Sequence, residues 1–330
     1  MTSCALHLLG AANENVFQLM SMSEDSAELP PAAITPNIRS LVTWSSMNEE
    51  QIVAQAQQRV AARRAQRAAP SGGGAWTNIL IGLVLTVLTA FLLYPAPLPQ
   101  KLFAAMGGVC GLRPSHSYVA GDLQLPLESR MTGMYGGVSI TLGWLLLKRR
   151  LGATRPGSWA VLTLLAVMFL SMAGDGINST LTELGLPHPY SSTNITRIVT
   201  GLLSGVSIAT ILAWIVAAVA RPPEKPPTLL FAAPRALLAP LGLCVLFGLL
   251  VVSQQPWGYV PIALLSVGGI VLALAGALLL PVLLVGGWSE RVTAPRQLLT
   301  PGVLALLFAF AVLTGTAALR WSVVGLLDGR

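Results

Sequence analysis

Between Trp76 and Trp321 the chain repeats one pattern seven times: a run of about 18 to 25 apolar, nearly uncharged residues, then a short connection that carries the charge. Bilayer hydrocarbon is about 30 Å thick and a helix rises about 1.5 Å per residue, so each run is long enough to cross it. A helix in lipid satisfies its own backbone hydrogen bonds, which is why 54% hydrophobic and 10% charged residues suit a chain immersed in lipid. The sequence therefore predicts an all-α fold, a polytopic transmembrane helix bundle of about seven spans. Their bounds, good to a few residues, are 77–94, 130–147, 158–175, 195–219, 235–253, 259–286 and 300–320. Without a charged residue in the interiors of the last three, an ion or proton path through them is not expected.

Lys and Arg beside span ends are retained on the cytoplasmic side, so their distribution predicts orientation. One face collects Arg59, Arg63, Arg64, Arg67, Lys148, Arg149, Arg150, Arg155, Arg221, Lys225, Arg235, Arg291 and Arg296; the other has only Lys101, Arg113, Arg130, Arg197, Arg320 and Arg330. The N-terminus is then cytoplasmic and the C-terminus extracytoplasmic, in the cell membrane of a prokaryote. Trp76, Trp159, Trp214, Trp257, Trp288 and Trp321 fall near predicted span ends, where amphipathic indoles meet the headgroups. The formal charge of +7 lies in short loops beside apolar spans rather than in an aromatic-rich soluble patch, which argues for topology and against a nucleic-acid partner.

Composition divides the chain into four regions. Residues 1–46 mix Ser, Asn, Pro and scattered acids without a period, which reads as disorder or as a start codon placed too early, with Met47 the alternative first residue. Residues 47–75 hold a polar Ala, Gln and Arg-rich helix with acids first and bases last, as a helix dipole favours, then a Gly-rich joint. Residues 76–220 carry four spans and two polar outer loops, and residues 221–330 carry three apolar spans.

The polar residues concentrate on the outer face, in the connections from Cys110 to Gly137 and from Ala173 to Gly205. Arg130, Asp175, Asn194 and Arg197 run into predicted span ends, with Glu128 close by. An ionisable residue at membrane depth costs about 2.5 to 3.5 kcal/mol, so it is paired or faces water. Asp175 is expected to pair with Arg130 or Arg197.

These two stretches resemble the prokaryotic membrane family catalogued as domain of unknown function 2085. Its pattern starts with a Cys-His-Gln element and runs through a Pro-Leu-Cys-Ala-Arg-Cys-Thr-Gly-like turn into a Gly-rich helix. Cys110, Pro114, Ser117, Tyr118, Pro126, Leu127, Arg130, Thr132, Gly133, Tyr135 and Gly137 fit it in order; Asp175, Gly176, Asn194, Arg197, Thr200 and Gly201 fit its second element. The resemblance covers residues 100–215 or so. Gly111 stands at the family's His, Glu128 and Met131 at its paired Cys positions, and His116 at its usual Arg. The Cys-His and paired-Cys elements of typical members imply metal ligands or a redox dithiol. This chain keeps only Cys110 of that set, so neither a metal site nor a cofactor is expected.

Three readings of function remain. The first is a non-catalytic membrane protein, structural or accessory, contacting the lipid bilayer and, through its Gly-rich spans, other membrane proteins or a second copy. The second is a membrane enzyme or redox accessory protein using Cys110, His116 and Asp175, with His116 as the base that a thiolate nucleophile needs. The third is a transporter of a small or lipid-like solute. The GxxxG-like step of Gly201 and Gly205, and Gly133, Gly136 and Gly137, are expected to serve close helix packing.

Overall fold

A computed structural model describes residues 51, 53–59, 74–222 and 227–327. The chain divides into two compact units, Met1–Ala68 and Ala69–Arg330. In the first, residue 51 and residues 53–59 are helical, inside the polar helix expected over 47–75; the segment 1–46, with Cys4 and the question of Met47, lies outside the described residues.

The second unit is built of helices α1 (Ala75–Leu93), α2 (Leu98–Met106), α3 (Ser129–Leu147), α4 (Trp159–Glu183), α5 (Asn194–Ala220), α6 (Leu238–Val252), α7 (Tyr259–Val285) and α8 (Leu299–Leu327). By length and composition, α1, α4, α5, α6 with its preceding turn from Pro234, α7 from Pro256 and α8 from Pro295 are sufficient to cross a membrane. Helix α3 has 19 residues but carries Ser129, Arg130, Thr132, Thr141 and four glycines, and is too polar to qualify on hydropathy. It stands instead among other helices, flanked by α5, α6 and α7. Helix α4 packs on α5, α8 on α7, and α1 on α8.

Glycine sets how closely these helices approach. Gly133 and Gly137 of α3 face Gly201 and Gly205 of α5: a Cβ on Gly137 would lie 3.2 Å from the Gly205 Cα, and one on Gly205 would lie 3.0 Å from the Gly137 Cα. On the other side of α3, the missing side chain of Gly269 in α7 makes room for the Tyr135 carbonyl. The glycines expected to promote association thus meet neighbouring helices of the same chain. Backbones this close replace a hydrophobic drive that lipid cannot supply, and add dispersion and Cα–H···O contacts.

Three sequence expectations need correction. Helix α4 continues to Glu183 rather than stopping near 175, because its last two turns bury polar side chains against other protein segments instead of lipid. Helix α8 continues to Leu327 rather than ending at 320, so Arg320, expected at a span end, lies inside the helix. Its guanidinium donates to the carbonyls of Gly107 (2.7 Å), Cys110 and Gly111 (3.2 Å), satisfying backbone acceptors left open beyond α2. Third, the first outer connection is not mere loop. It holds α2, a 3-10 turn at Pro114–His116 and a two-stranded hairpin, β1 (Val119–Ala120) on β2 (Leu123–Gln124), turned at Gly121 with φ +62°.

Candidate functional site

The polar residues gather where α3 begins, α4 ends and α5 begins, beneath the segment from Gly107 to Glu128. Asp175, on α4, has a side chain with 0% exposure. Its Oδ2 accepts from Arg130 Nη2 at 2.6 Å, and its Oδ1 accepts from the Tyr190 hydroxyl at 2.9 Å and the Ser192 hydroxyl at 2.7 Å. A buried carboxylate with a guanidinium and two hydroxyl donors is fully solvated by protein, as burial of a charge requires. Of the two partners expected for Asp175, the structure selects Arg130.

Arg197, 9% exposed, takes another role. It donates to Ser179 Oγ through Nε (3.4 Å) and Nη2 (3.3 Å), and to Asn194 Oδ1 through Nη1 (3.3 Å). Arg130 Nη2 also reaches Ser179 Oγ at 3.2 Å, so one hydroxyl links the two guanidiniums. Asn194 in turn donates to the Ser115 carbonyl at 3.3 Å, fastening α5 to the overlying segment.

That segment has its own charge network. Arg113 bonds Glu183 at 3.0 Å and lies 3.7 Å from Glu128. His116 is 4.0 Å from Glu128 and 3.7 Å from Glu183. Burial, with Arg197 and Arg113 nearby, pushes the His116 pKa down, toward the neutral imidazole. Cys110 is 5% exposed, and its Sγ accepts the Glu128 backbone N–H at 3.3 Å. Burial pushes its thiol up, away from the thiolate that a nucleophile needs. Among the described residues no hydrogen bond joins Cys110 to His116, and no group of three His, Cys, Asp or Glu side chains is placed to hold a metal ion. His188 lies apart, its Nδ1 beside the Leu186 carbonyl at 3.1 Å.

Residues 110–211 match the family model described as predicted membrane protein (DUF2085). No curated protein and no solved structure matches the chain. The matched segment runs from Cys110 through α3 and α4 into α5, so it contains the whole charge cluster except the Arg320 contribution, and it leaves α6 to α8 outside.

Within this segment the positions that depart from the family pattern lie side by side. A Cβ on Gly111 would come within 2.7 Å of Glu128 Oε1, so the carboxylate occupies the space that a side chain at 111 would need. Glu128 also touches Cys110 through its backbone and His116 through its carboxylate. Met131 packs with Cys110 and Leu127 in an apolar cluster. Where the resemblance implies Cys and His, this chain has an ion pair, a glycine that admits it, and a thioether.

Sequence reasoning missed Ser179, Glu183, Tyr190, Ser192, Arg113 and Arg320. Ser179 and Glu183 follow Asp175 at i+4 and i+8, one face of a helix. Extending the third predicted span by two turns exposes that face in the sequence.

Proposed function

We propose that this chain is a non-catalytic structural or accessory component of a prokaryotic cell membrane, with its outer-face polar cluster serving as a lock beneath a folded interaction surface. The observation that carries this reading is that each charged side chain of the cluster meets a partner inside the chain. Asp175 takes Arg130, Glu128 and Glu183 take Arg113 and His116, and Arg197 takes Ser179 and Asn194. Cys110 is left without an activating base among the described residues, and Gly111, Glu128 and Met131 stand where the resemblance implies His and paired Cys. The bundle interior favours packing over a solute path: the hydroxyls of Ser204, Ser207, Thr210 and Ser266 donate to backbone carbonyls at 2.6 to 2.9 Å.

In this reading α3 is the seventh span, enclosed so that its polar groups do not meet lipid, and the N-terminus is cytoplasmic. The excess of bases in the connections away from the charge cluster, among them Arg149, Arg150, Arg155, Arg221, Arg235, Arg291 and Arg296, supports this orientation. The orientation is tested with single cysteines introduced by Ser191→Cys and Ser158→Cys in a background lacking Cys4, Cys110 and Cys244. An impermeant maleimide should label Ser191→Cys on intact cells, and Ser158→Cys only after lysis. The reverse result inverts the topology.

The non-catalytic reading is tested by Cys110→Ser and His116→Gln. Both should leave the cellular phenotype of the wild-type gene intact, and Cys110→Ser should change stability by less than about 1 kcal/mol, since the Ser hydroxyl can accept the Glu128 N–H that the thiol accepts. Loss of the phenotype at unaltered protein level would show that this pair reacts.

A further inference from the structure

At the end of the bundle opposite the charge cluster, a cavity of about 460 Å³ opens between the α3–α4 connection and the segment after α5. That volume lies within the usual range of small-molecule pockets, about 300 to 1,000 Å³. Its walls include Arg149, Arg150, Arg221, Thr228 and Leu229. Retention of basic residues on one side of a membrane needs only their number in the loops. Here three of them line one cavity.

Two of the guanidiniums are positioned by identifiable features, and the third arginine sits at a turn of the backbone. Arg150 Nη1 donates to the Leu230 carbonyl at 2.9 Å. Gly152 has no side chain where Arg221 lies: a Cβ there would be 2.9 Å from the Arg221 Cζ. Arg149 adopts φ +55°, a left-handed conformation uncommon for a residue other than glycine, immediately after α3 ends. The wall opposite is held by a short parallel pairing, in which Arg155 N–H donates to the Thr228 carbonyl at 3.1 Å and Leu230 N–H to the Arg155 carbonyl at 2.9 Å. Among the described residues none of the three arginines pairs with a carboxylate.

Three arginines lining one cavity, with no carboxylate among the described residues of its walls, are complementary to a phosphate, which accepts several charge-assisted hydrogen bonds. The position distinguishes the source. Leu147, 81% exposed, ends the apolar run of α3 just before Arg149, and Leu229, 41% exposed, lines the cavity itself. An anion seated here would have hydrocarbon beside it.

We propose that this cavity binds the phosphate of an anionic phospholipid headgroup, with Arg149 and Arg221 as its principal donors and the acyl chains lying along the bundle surface near Leu147. The site requires immersion in lipid but neither orientation of the bundle, so it stands or falls independently of the topology and of the non-catalytic reading.

The test uses the full chain purified in lipid-free detergent and titrated with phosphatidylglycerol, phosphatidylcholine or inorganic phosphate. Native mass spectrometry counts bound lipid and thermal unfolding reports stabilisation. Phosphatidylglycerol should be retained and should raise Tm, with phosphatidylcholine doing neither. Arg149→Gln with Arg221→Gln should weaken phosphatidylglycerol binding about 30-fold, the effect of removing two interfacial cations. Arg235→Gln with Arg296→Gln, which removes equal charge outside the cavity, should change it less than about 3-fold. Gly152→Val displaces the Arg221 guanidinium at constant charge and should weaken binding about 5-fold or more; it decides the matter if the double arginine variant does not fold. Equal retention of the two lipids, or phosphatidylglycerol binding that survives both Arg149→Gln/Arg221→Gln and Gly152→Val, overturns the proposal. Stabilisation by inorganic phosphate equal to that by phosphatidylglycerol overturns it too, by making the ligand a soluble anion.

Discussion

Asp175→Ala is expected to destabilise the folded bundle by about 3 to 5 kcal/mol, the usual result of removing one member of a buried ion pair. The cause is what remains behind. Arg130 would keep only the Ser179 hydroxyl and the residue-175 carbonyl, at 3.2 and 3.3 Å, while its buried Nε already has no partner. Tyr190 and Ser192 would lose their shared acceptor, which frees the connection between α4 and α5. Asp175→Asn retains an oxygen for those two hydroxyls and loses only the charge, so its cost should be about half as large. In detergent, Asp175→Ala should lower Tm by roughly 10 °C or reduce folded yield correspondingly. A second measurement separates the pair from the carboxylate alone: adding Arg130→Met to Asp175→Leu should recover part of the loss, because an apolar pair strands no charge. A Tm for Asp175→Ala within about 1 °C of the wild-type value would refute the lock.

The spans were legible because hydrocarbon thickness imposes a length, and apolar runs record where lipid is. The limits of that signal are equally physical. Hydropathy reports contact with lipid rather than helicity, so it ended the third span near Asp175. Helix α4 continues through Asn178, Thr182 and Glu183, where polar side chains meet Tyr190, Arg113 and their own helix instead. The last predicted span was ended at Arg320 for the same reason, although the helix runs on to Leu327 and that charge is absorbed by the carbonyls of Gly107, Cys110 and Gly111.

The candidate site was legible by residue type and not by pairing. Cost at membrane depth identified Arg130, Asp175 and Arg197 as residues that must find partners. Nothing in their spacing ranks Arg130 over Arg197 as the partner of Asp175. The choice is made by how α3 and α5 cross, which sends Arg130 to the carboxylate and leaves Arg197 on Asn194, three residues before it, and Ser179. The family resemblance similarly marked Gly111, Glu128 and Met131 as departures. That Glu128 fills the space left by Gly111 is a tertiary fact, and it turns separate losses into one compensated replacement.

Gly205→Leu is expected to be at least as damaging as Asp175→Ala, through geometry instead of charge. The first atom of any side chain at 205 collides with the Met134 carbonyl and reaches the Gly137 Cα at 3.0 Å, so helix backbone itself must move. Overpacking a core that can adjust its side chains costs about 1 to 3 kcal/mol. Here α3 cannot retreat from α5, because its other side is held against α7, where Gly269 receives the Tyr135 carbonyl. The displacement would also separate Arg130, at the start of α3, from Asp175, coupling the packing defect to the ion pair. We therefore expect a loss above about 3 kcal/mol, with Gly205→Ala intermediate. Gly143→Leu supplies the control within α3: no atom lies within 4 Å of its Cβ position, so the same side chain there should change Tm by less than about 2 °C. Thermal unfolding of the three variants in one detergent decides the point. If Gly205→Leu and Gly143→Leu melt together, the close glycine crossing is not what sets the spacing of α3 and α5.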